Sequence, residues 1–292
     1  MSSIEHFDIN SWEYLINQQT QLNAVNALEN GKVIFMPQLS FAINENEQHL
    51  LSPSYLKDKK NISYNKLNGQ LRGVTCSETD KILFTQLCDR YATYSKQLIH
   101  QLFPMYTKAF LTGRTSFRPA EIYGRKAPSY KKDDTRLHVD AFPSSPTHGK
   151  RILRIFSNIN PHNETRDWHV GEPFTKVAQR FLPHVTKYNV LLAKAMHTMK
   201  ITREFRTQYD HTMLHIHDRM KQDLTYQTAV PFQEIKFPAH STWIVFTDQV
   251  SHAAIKGQHL LEQTFYLPTH AMQEPSLSPL SILEGIVGKS LI

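Results

Sequence analysis

The sequence predicts an α+β protein in which a β-sandwich of jelly-roll type is flanked by helices. Apolar residues recur at helical spacing through much of residues 1–110 and again at about 172–223, while strand-like segments dominate 111–161 and 232–267. With 40% hydrophobic residues, the 292-residue chain can bury a substantial core. The order of helices, strands, helical insert, strands and tail fits one sandwich wrapped by helices.

We therefore expect a single domain across residues 1–292. Residues 1–110 form its mainly helical N-terminal support, residues 111–270 form the jelly-roll core with its helical insert at about 172–223, and residues 271–292 form a C-terminal tail. No internal repeat, low-complexity run or clear linker divides the chain.

The N-terminal support begins with a helix over 11–29, where apolar residues recur at near-helical spacing and Asn30-Gly31 supplies a stop. A strand over Lys32–Pro37 and a polar loop over 44–70 follow.

The longest helical pattern runs from Ser77 to about Phe110. Ser77 resembles an N-cap followed by acidic residues of the first turn, and Pro104 predicts a kink or break near the end. Its apolar stripe is expected to pack on a sheet.

The core strands are predicted from alternation between loops rich in Gly, Pro, Ser and Lys. They are Thr115–Ile122, Thr135–Phe142, Arg151–Ile159, Phe232–Phe237, Ser241–Asp248, His252–Lys256 and Leu260–Leu267. Helical spacing returns at 172–200 and Tyr209–Asp223. The amphipathic tail, Ser278–Leu291, has the length of an interfacial helix, but capping the domain is the preferred interpretation.

The charge composition limits the classes of binding partner. Lys and Arg number 33 against 26 Asp and Glu, a net charge of +7, which favours nucleic acid, an anionic lipid surface or a phosphorylated glycolipid. Nucleic acid ranks last because no recognisable binding motif is present. Cys76 and Cys88 are too few and too far apart for a zinc ribbon or a disulfide framework. With no leader-like N-terminus and no apolar run of about 18 residues, we expect a soluble cytoplasmic protein.

His138 and Asp140 lie two residues apart in a segment predicted as a strand, where that spacing places both side chains on one face. Such pairs also arise by chance in a chain with 16 histidines. A third ligand on another strand would complete the set of two histidines and one carboxylate that holds Fe(II) and leaves positions open for cosubstrate and oxygen.

His252 offers that third ligand. It opens a predicted strand just after an apolar strand and a polar turn. Alone it is an ordinary turn histidine. Together with the pair it gives the candidate iron triad His138, Asp140 and His252.

An iron dioxygenase that uses 2-oxoglutarate also needs a cation for the distal carboxylate, and arginine pairs with carboxylates in bidentate fashion. Many such enzymes carry this Arg shortly after the distal His, but Gln263 occupies that neighbourhood here. We assign the role to Arg154, with Asn158 on the same strand face. The alternative for Arg154 is a salt bridge to a core acid, and Lys256 is a weaker substitute.

A substrate that carries carboxylates or phosphates needs further cations at the mouth of the site. The candidates are Arg118, Arg151, Lys126 and Lys131, which the sequence does not rank; we name Arg118 first because its strand precedes that of the triad.

Three polar side chains, His211, His215 and Asp218, share one face of the predicted helix Tyr209–Asp223. A second metal site is an alternative there. Because the opposite face is apolar and the zinc helix motif is absent, an amphipathic helix with a hydrated side explains the pattern.

The block His138–Gly149 and the following Arg151–Pro161 resemble the signature of the 3-deoxy-D-manno-oct-2-ulosonic acid (Kdo) 3-hydroxylases. Ser116–Glu121 upstream and Tyr209–Lys221 downstream are similar in style, and the resemblance spans about residues 30–270. That family is a branch of the Fe(II)- and 2-oxoglutarate-dependent dioxygenases with a double-stranded β-helix core. Its His-x-Asp motif corresponds to the pair identified above.

The resemblance implies hydroxylation at carbon 3 of the Kdo sugar in the inner core of lipopolysaccharide, with Fe(II), 2-oxoglutarate and O2, and ascorbate as reductant in vitro. The implied acceptor is Kdo-bearing lipid A at the cytoplasmic face of the inner membrane, where a basic protein could associate peripherally with the anionic surface. Two rivals stay open: a 2-oxoglutarate dioxygenase acting on another substrate, and a non-catalytic jelly-roll module that binds anionic glycan.

Overall fold

A computed structural model describes residues 2–57 and 61–292, which form eleven strands and seven α-helices. The strands are β1 (Ile4–His6), β2 (Val33–Met36), β3 (Ile62–Asn65), β4 (Gln70–Arg72), β5 (Leu111–Arg118), β6 (Arg151–Asn158), β7 (Arg166–Val170), β8 (Gln233–Phe237), β9 (Thr242–Phe246), β10 (His252–Lys256) and β11 (Leu260–Leu267). The helices are α1 (Gln18–Glu29), α2 (Glu78–Leu102), α3 (Phe174–Phe181), α4 (Val190–Thr198), α5 (Gln208–Gln222), α6 (Leu224–Ala229) and α7 (Pro279–Val287).

The strands form two sheets that face each other. Within the described residues, the main sheet has eight strands in the order β1-β2-β9-β6-β11-β5-β3-β4, and the minor sheet has three in the order β10-β7-β8. A bridge between His138 and His252 adds one more segment to the edge of the minor sheet. Aromatic side chains, among them Trp168 and Trp243, fill the space between the sheets. The predicted jelly-roll core is confirmed.

Helices α1 and α2 cover the outer face of the main sheet. The Ser77 side chain caps α2 by accepting the backbone N–H of Asp80 at 3.1 Å, as an N-cap should. From the buried face of α2, the Tyr91 hydroxyl reaches a serine hydroxyl of β6 at 3.1 Å. The helix ends at Leu102, and Pro104 begins a short 3-10 turn. The break predicted at Pro104 is therefore confirmed, and the pattern beyond it is not α-helical.

The helical insert lies between β7 and β8 and contains α3 to α6. Its apolar faces form a second cluster with Leu137 and Val139, the neighbours of His138 in sequence. Leu280 and Leu283 of α7 are buried in the same cluster. The tail thus packs as a cap, in agreement with the preferred interpretation.

Several predicted segments differ from the structure. The helix predicted over 11–29 begins only at Gln18. Thr135–Phe142 contains no strand beyond the single bridge at His138. The reason is local, because the Asp133 carboxylate accepts the backbone N–H of Thr135 at 3.0 Å and turns the chain there. The stretch 44–70, predicted as loop, contains a 3-10 helix at Glu45–Leu50 as well as β3, and residues 58–60 of it lie outside the described part.

The other core strands follow the sequence closely. Strands β10 and β11 have the predicted bounds, whereas β5 runs four residues earlier than Thr115–Ile122 at each end. It stops before Pro119, which has no N–H to donate to a ladder. Strand β7 lies where the sequence predicts no element.

No helix in residues 2–57 and 61–292 is long and apolar enough to cross a membrane. Strands β1 to β4, from the N-terminal support, join the main sheet. The division of the domain at residues 110 and 270 stays a prediction.

Candidate active site

The two predicted histidine ligands meet at the edge of the minor sheet. His138 and His252 exchange backbone hydrogen bonds with N to O distances of 3.0 and 2.8 Å, and their ring centroids are 4.6 Å apart. Asp140 is held by its backbone N–H, which donates to the Thr247 carbonyl at 2.8 Å. Potential ligand atoms of the three side chains lie within 4.8 Å of one another, and no other such group of three occurs in the part of the chain that the structure describes.

Both imidazoles have the same tautomer. Nδ1 of His138 lies 2.8 Å from the Arg136 carbonyl oxygen, and Nδ1 of His252 lies 2.8 Å from the Val250 carbonyl oxygen. Because a carbonyl oxygen can only accept, each Nδ1 carries the proton and each Nε2 keeps its lone pair. Two nitrogen ligands are therefore oriented by the backbone before any metal binds.

The charge states also suit a metal. Burial lowers the pKa of His138 well below its usual value, and burial likewise lowers the pKa of His252. Burial alone would raise the pKa of Asp140, but the Arg154 guanidinium, together with His252 and a hydrogen bond from Thr247, outweighs this and holds the pKa of the carboxyl below its usual range. Two neutral imidazoles and one carboxylate are the donor set that Fe(II) oxygenases use.

The triad lines a cavity of about 120 Å³ between the two sheets. Its other lining residues are Arg118, Asp134, Arg154, Phe156, Arg166, Trp168, Ala254, Leu260 and Glu262. Three of them are arginines, while Asp134 pairs with Arg125 at 2.9 Å. Once Asp140 serves a metal ion, the guanidiniums outnumber the remaining carboxylates, so the cavity suits an anion.

Glu262 arranges two of the three arginines. Its carboxylate lies 2.8 Å from Arg154 Nη1 and 2.8 Å from Arg118 Nη2. In the main sheet Arg118 on β5 stands opposite Leu260 and Arg154 on β6 stands opposite Thr264. Glu262 on β11 is therefore the diagonal neighbour of both, close enough for long side chains to meet. The two strands that flank β11 thus bring two guanidiniums to the side of β11 that faces the cavity, where Gln263 itself offers none.

Arg166, at the start of β7, is the third arginine. It is 4% exposed, and no ion pair joins it to any carboxylate among the described residues. Nη1 donates to the Gly257 carbonyl at 2.8 Å, but Nε has no acceptor. Burial and the field of Arg118 lower its pKa to about 9. A buried cation in this state is costly unless an anion joins it.

Two more donors on residues that line the cavity lack acceptors: Arg154 Nε on β6 and Trp168 Nε1 on β7. Each unsatisfied buried donor costs about 1–3 kcal/mol. Because all three line one cavity that the triad also lines, the residues present fit a metal ion with an anionic ligand beside it.

The structure places two predicted site residues away from the cavity. Asn158 is buried at the end of β6, where its amide donates to the carbonyls of Glu164 and Phe237 at 2.9 and 3.1 Å. Arg151 is fully buried on the opposite face of β6, bound to Asp248 at 2.7 Å. Arg154 and Arg118 are the predicted cations that do line the cavity.

The remaining candidate cations also lie outside the cavity lining. Lys256 pairs with Glu164 at 2.8 Å, Lys131 pairs with Asp218 at 2.6 Å, and Lys126 is exposed.

Helix α5 contributes one histidine near the triad. His217 is buried, and its ring meets that of His138 edge to face with centroids 5.4 Å apart. His211 and His215 instead contact Thr186, at 3.4 and 3.2 Å. The interpretation of α5 as an amphipathic helix agrees with this arrangement.

Sequence reasoning missed Arg166, Trp168 and Glu262. A signal was present for the first two, because Arg166 and Trp168 are two residues apart and alternate with more exposed neighbours along β7. Glu262 reads as a surface residue in sequence, since glutamate is almost never fully buried unless it is paired.

A jelly roll that carries two histidines and a carboxylate around an open cavity defines the class of non-haem Fe(II) oxygenases. The profile of the family described as 3-deoxy-D-manno-oct-2-ulosonic acid (Kdo) hydroxylase matches residues 11–290. The chain belongs to this family, and the membership that the sequence resemblance predicted is confirmed.

Comparison with solved structures leads to the same family. A crystal structure of the Kdo hydroxylase KdoO, a non-haem Fe(II) and alpha-ketoglutarate dependent dioxygenase, in complex with cobalt(II) is 47% identical with a TM-score of 0.97, covering 100% of this chain and 98% of that one. KdoO with alpha-ketoglutarate and Fe(III) is 47% identical with a TM-score of 0.96, covering 99% and 97%. KdoO with succinate and Fe(III) is 46% identical with a TM-score of 0.96, covering 100% and 98%. A search of curated proteins finds no match.

Proposed function

We propose that this Kdo hydroxylase holds Fe(II) through Nε2 of His138, Nε2 of His252 and the Asp140 carboxylate, binds 2-oxoglutarate in the adjoining cavity, and hydroxylates carbon 3 of Kdo carried on lipid A. The observation that carries the proposal is that one cavity is lined by the triad and by three residues, Arg154, Arg166 and Trp168, that each carry an N–H donor without an acceptor. When bound, iron and 2-oxoglutarate supply the oxidising chemistry by which O2 delivers a hydroxyl group to a C–H carbon.

The chain's own contribution to the metal site is orientation. Backbone carbonyls fix both imidazoles, so that neither ring must rotate or lose a proton when the metal enters. Arg154 Nη2, 3.0 Å from Asp140 Oδ2, keeps the carboxylate ionised. Trp168 stacks on His252 with centroids 5.0 Å apart and limits its movement.

The cosubstrate is an elongated dicarboxylate, and we assign its distal carboxylate to Arg166. This guanidinium lacks an acidic partner among the described residues, whereas Arg154 and Arg118 share Glu262. Arg154 Nε and Trp168 Nε1 complete the donor set. Asn158, whose amide is engaged with the backbone, supports the end of β6 instead.

The acceptor must bring its own negative charge to the mouth of the site. Arg114 on β5 lies in the field of Arg203 and Arg72, and burial followed by these charges lowers its pKa. Tyr266 lies on the same face of β11 as Thr264, which stands opposite Arg154. Burial raises the pKa of Tyr266, and the charges of Arg154 and Arg203 both oppose this rise. We assign the anionic groups of the acceptor to Arg114 and Arg203, and keep Arg118 as a residue that substrate or cosubstrate could contact.

Kdo on lipid A is anchored in a bilayer, so the protein has to reach it there. We propose peripheral association with the anionic cytoplasmic face of the inner membrane, for which the net charge of +7 is suitable.

The test is mass spectrometry of Kdo-bearing lipid A after incubation with protein, Fe(II), ascorbate and 2-oxoglutarate. We expect a gain of one oxygen on the Kdo part that requires 2-oxoglutarate. His138→Ala should abolish it, and the matched control His211→Ala, on α5 away from the triad, should retain it. Succinate release without any change in Kdo would keep the dioxygenase and overturn the acceptor. If neither succinate nor hydroxylated Kdo were formed, the result would favour a non-catalytic module. Tandem fragmentation of the product would locate the new oxygen, and its absence from carbon 3 would overturn that position.

A further inference from the structure

Helix α4 of the insert exposes an unusual amount of apolar surface. Leu191 is 73% exposed, Leu192 58%, Met199 61% and Ile201 54%. We call these four side chains the insert patch. Large apolar groups that are adjacent and open to solvent mark an interaction surface more often than scattered single ones do.

The insert patch is built on a capped helix and the turn that follows it: Leu191 and Leu192 lie in α4, Met199 caps its C-terminus and Ile201 comes two residues later. Leu191, Ala195 and Met199 recur every four residues and therefore share a side of α4, and Leu192 lies next to them. Ala193 is the one buried residue of α4 and fixes the helix to the protein from another side. Asn189 caps the helix by accepting the backbone N–H of Leu192 at 3.1 Å.

Charge around the insert patch is predominantly positive, although Glu172, which pairs with Arg180 at 3.4 Å, and the exposed Glu204 flank the segment. Residues 173–203 include no Asp or Glu, and their six basic residues are Lys176, Arg180, Lys187, Lys194, Lys200 and Arg203. With the two flanking glutamates included, residues 172–204 carry a net charge of +4, more than half of the +7 of the whole chain. Lys187, Lys194 and Lys200 are exposed, and no ion pair involves them within the described residues.

The segment that carries the insert patch is tied to the active site. The Arg203 backbone N–H donates to the Ser144 carbonyl at 3.0 Å, and Arg206 Nη2 donates to the Pro143 carbonyl at 2.5 Å. These two carbonyls follow Phe142, whose ring lies 5.6 Å from the Arg154 guanidinium. A partner bound at the insert patch would therefore lie beside the loop that follows Asp140 and contains Pro143 and Ser144.

We propose that the insert patch is the surface by which the protein sits on an anionic bilayer, with the four apolar side chains in the boundary of headgroups and acyl chains and the lysines on anionic headgroups. An apolar helix face flanked by lysines is the pattern of an interfacial helix. The occupant is a bilayer rather than a second copy of this chain, because two such basic surfaces facing each other would repel. The inference deepens the proposed function, which needs a lipid-anchored acceptor.

Tail helix α7 is a poorer membrane contact. Its Leu280 and Leu283 are already buried against the insert. That leaves fewer apolar side chains for a bilayer than α4 offers.

The experiment is flotation of the full-length protein with vesicles of phosphatidylcholine alone and of phosphatidylcholine mixed with phosphatidylglycerol. We expect binding to the mixed vesicles and little to the neutral ones. The double variant Leu191→Ser with Leu192→Ser should weaken the partition coefficient at least about tenfold. Each of Lys187→Gln, Lys194→Gln and Lys200→Gln should weaken it about fivefold on anionic vesicles.

The matched control is Leu15→Ser with Leu67→Ser, two leucines that are 88% and 81% exposed elsewhere on the protein. This pair should bind vesicles as the wild type does, and thermal melting verifies that all variants fold. Equal effects of the two leucine pairs, absence of wild-type binding, or equal binding to neutral vesicles would each overturn the proposal. So would a leucine-dependent dimer in light scattering with unchanged vesicle binding.

Because these vesicles contain no Kdo, failure here is distinct from failure of the proposed function. If the protein bound vesicles through the insert patch but did not hydroxylate Kdo-bearing lipid A, the proposed acceptor would be overturned and the membrane surface kept.

Discussion

Arginine side chains with little exposure lie on both sides of strand β6, and they differ in how their hydrogen-bond donors are used. On the helical side, Arg151 bonds Asp248 at 2.7 Å and Gln249 at 2.6 Å, and its guanidinium lies 3.8 Å from the Phe246 ring centroid. On the cavity side, Arg154 and Arg166 each keep an Nε without an acceptor. Burial alone therefore does not identify a ligand site, whereas an unused donor beside a cavity does.

The comparison predicts different changes in the free energy of unfolding when these residues are mutated. The largest change is expected on the helical side. Asp248→Asn leaves Arg151 buried without its counter-charge, so the free energy of unfolding should fall by about 3–5 kcal/mol in denaturant titration. The control is Asp89→Asn, which breaks the partly exposed pair with Lys66 at 3.0 Å and should cost about 1 kcal/mol or less. Equal losses for the two variants would contradict the structural role assigned to Arg151.

A buried polar atom without a partner can also lie away from the cavity, and His259 is such a case. His259 is 3% exposed, its Nδ1 has no partner, and burial followed by the nearby His162 lowers its pKa to about 4. Because the folded pKa lies below the unfolded one, the stability linked to neutral His259 is complete above about pH 6.5 and is lost as pH falls towards about 4.

His259→Asn should therefore flatten the fall in unfolding free energy between neutral pH and about pH 5, by up to about 3 kcal/mol over the full window. Asparagine suits the site because His259 has a φ of 55°, a conformation that it tolerates. Parallel pH profiles for the two proteins would show that His259 ionises freely in the folded state.

The smallest stability change should come from the cavity side. Arg166→Met removes an unpaired buried cation, which is favourable, but also the hydrogen bond to the Gly257 carbonyl, which is unfavourable. The two effects offset each other, and we expect a free energy of unfolding within about 1 kcal/mol of the wild type. A loss as large as that of Asp248→Asn would make Arg166 a structural residue like Arg151.

Much of the site was predictable because its ligands have a strict spacing. His138 and Asp140 are two residues apart, and His252 opens a strand, so the triad follows from alternation and from the chemistry of the donor set. The three predicted residues do come together in the structure, although Thr135–Phe142 forms only a single bridge to β10. One bridge at His138 is enough to align the ligands.

The cosubstrate cations were harder to predict because their identity depends on cross-strand register. Arg154 was identified from its place in an apolar strand, but its partner Glu262 lies on a strand more than a hundred residues later. Arg166 belongs to β7, which the sequence did not predict. No local pattern tells which of two buried arginines on one strand will find all its acceptors within the protein, as Arg151 does.

The most direct test of the central claim is a calorimetric comparison of two 2-oxo acids on protein loaded with Co(II) in place of iron. One ligand is 2-oxoglutarate, and the other is 2-oxobutyrate, which lacks the distal carboxylate. The wild type should prefer 2-oxoglutarate by about ten- to a hundredfold, the range of a charged hydrogen bond. Arg166→Met should lose that preference, while the control Lys256→Met, outside the cavity, should keep it. Full preference in Arg166→Met would contradict the account and assign the distal carboxylate to another cation.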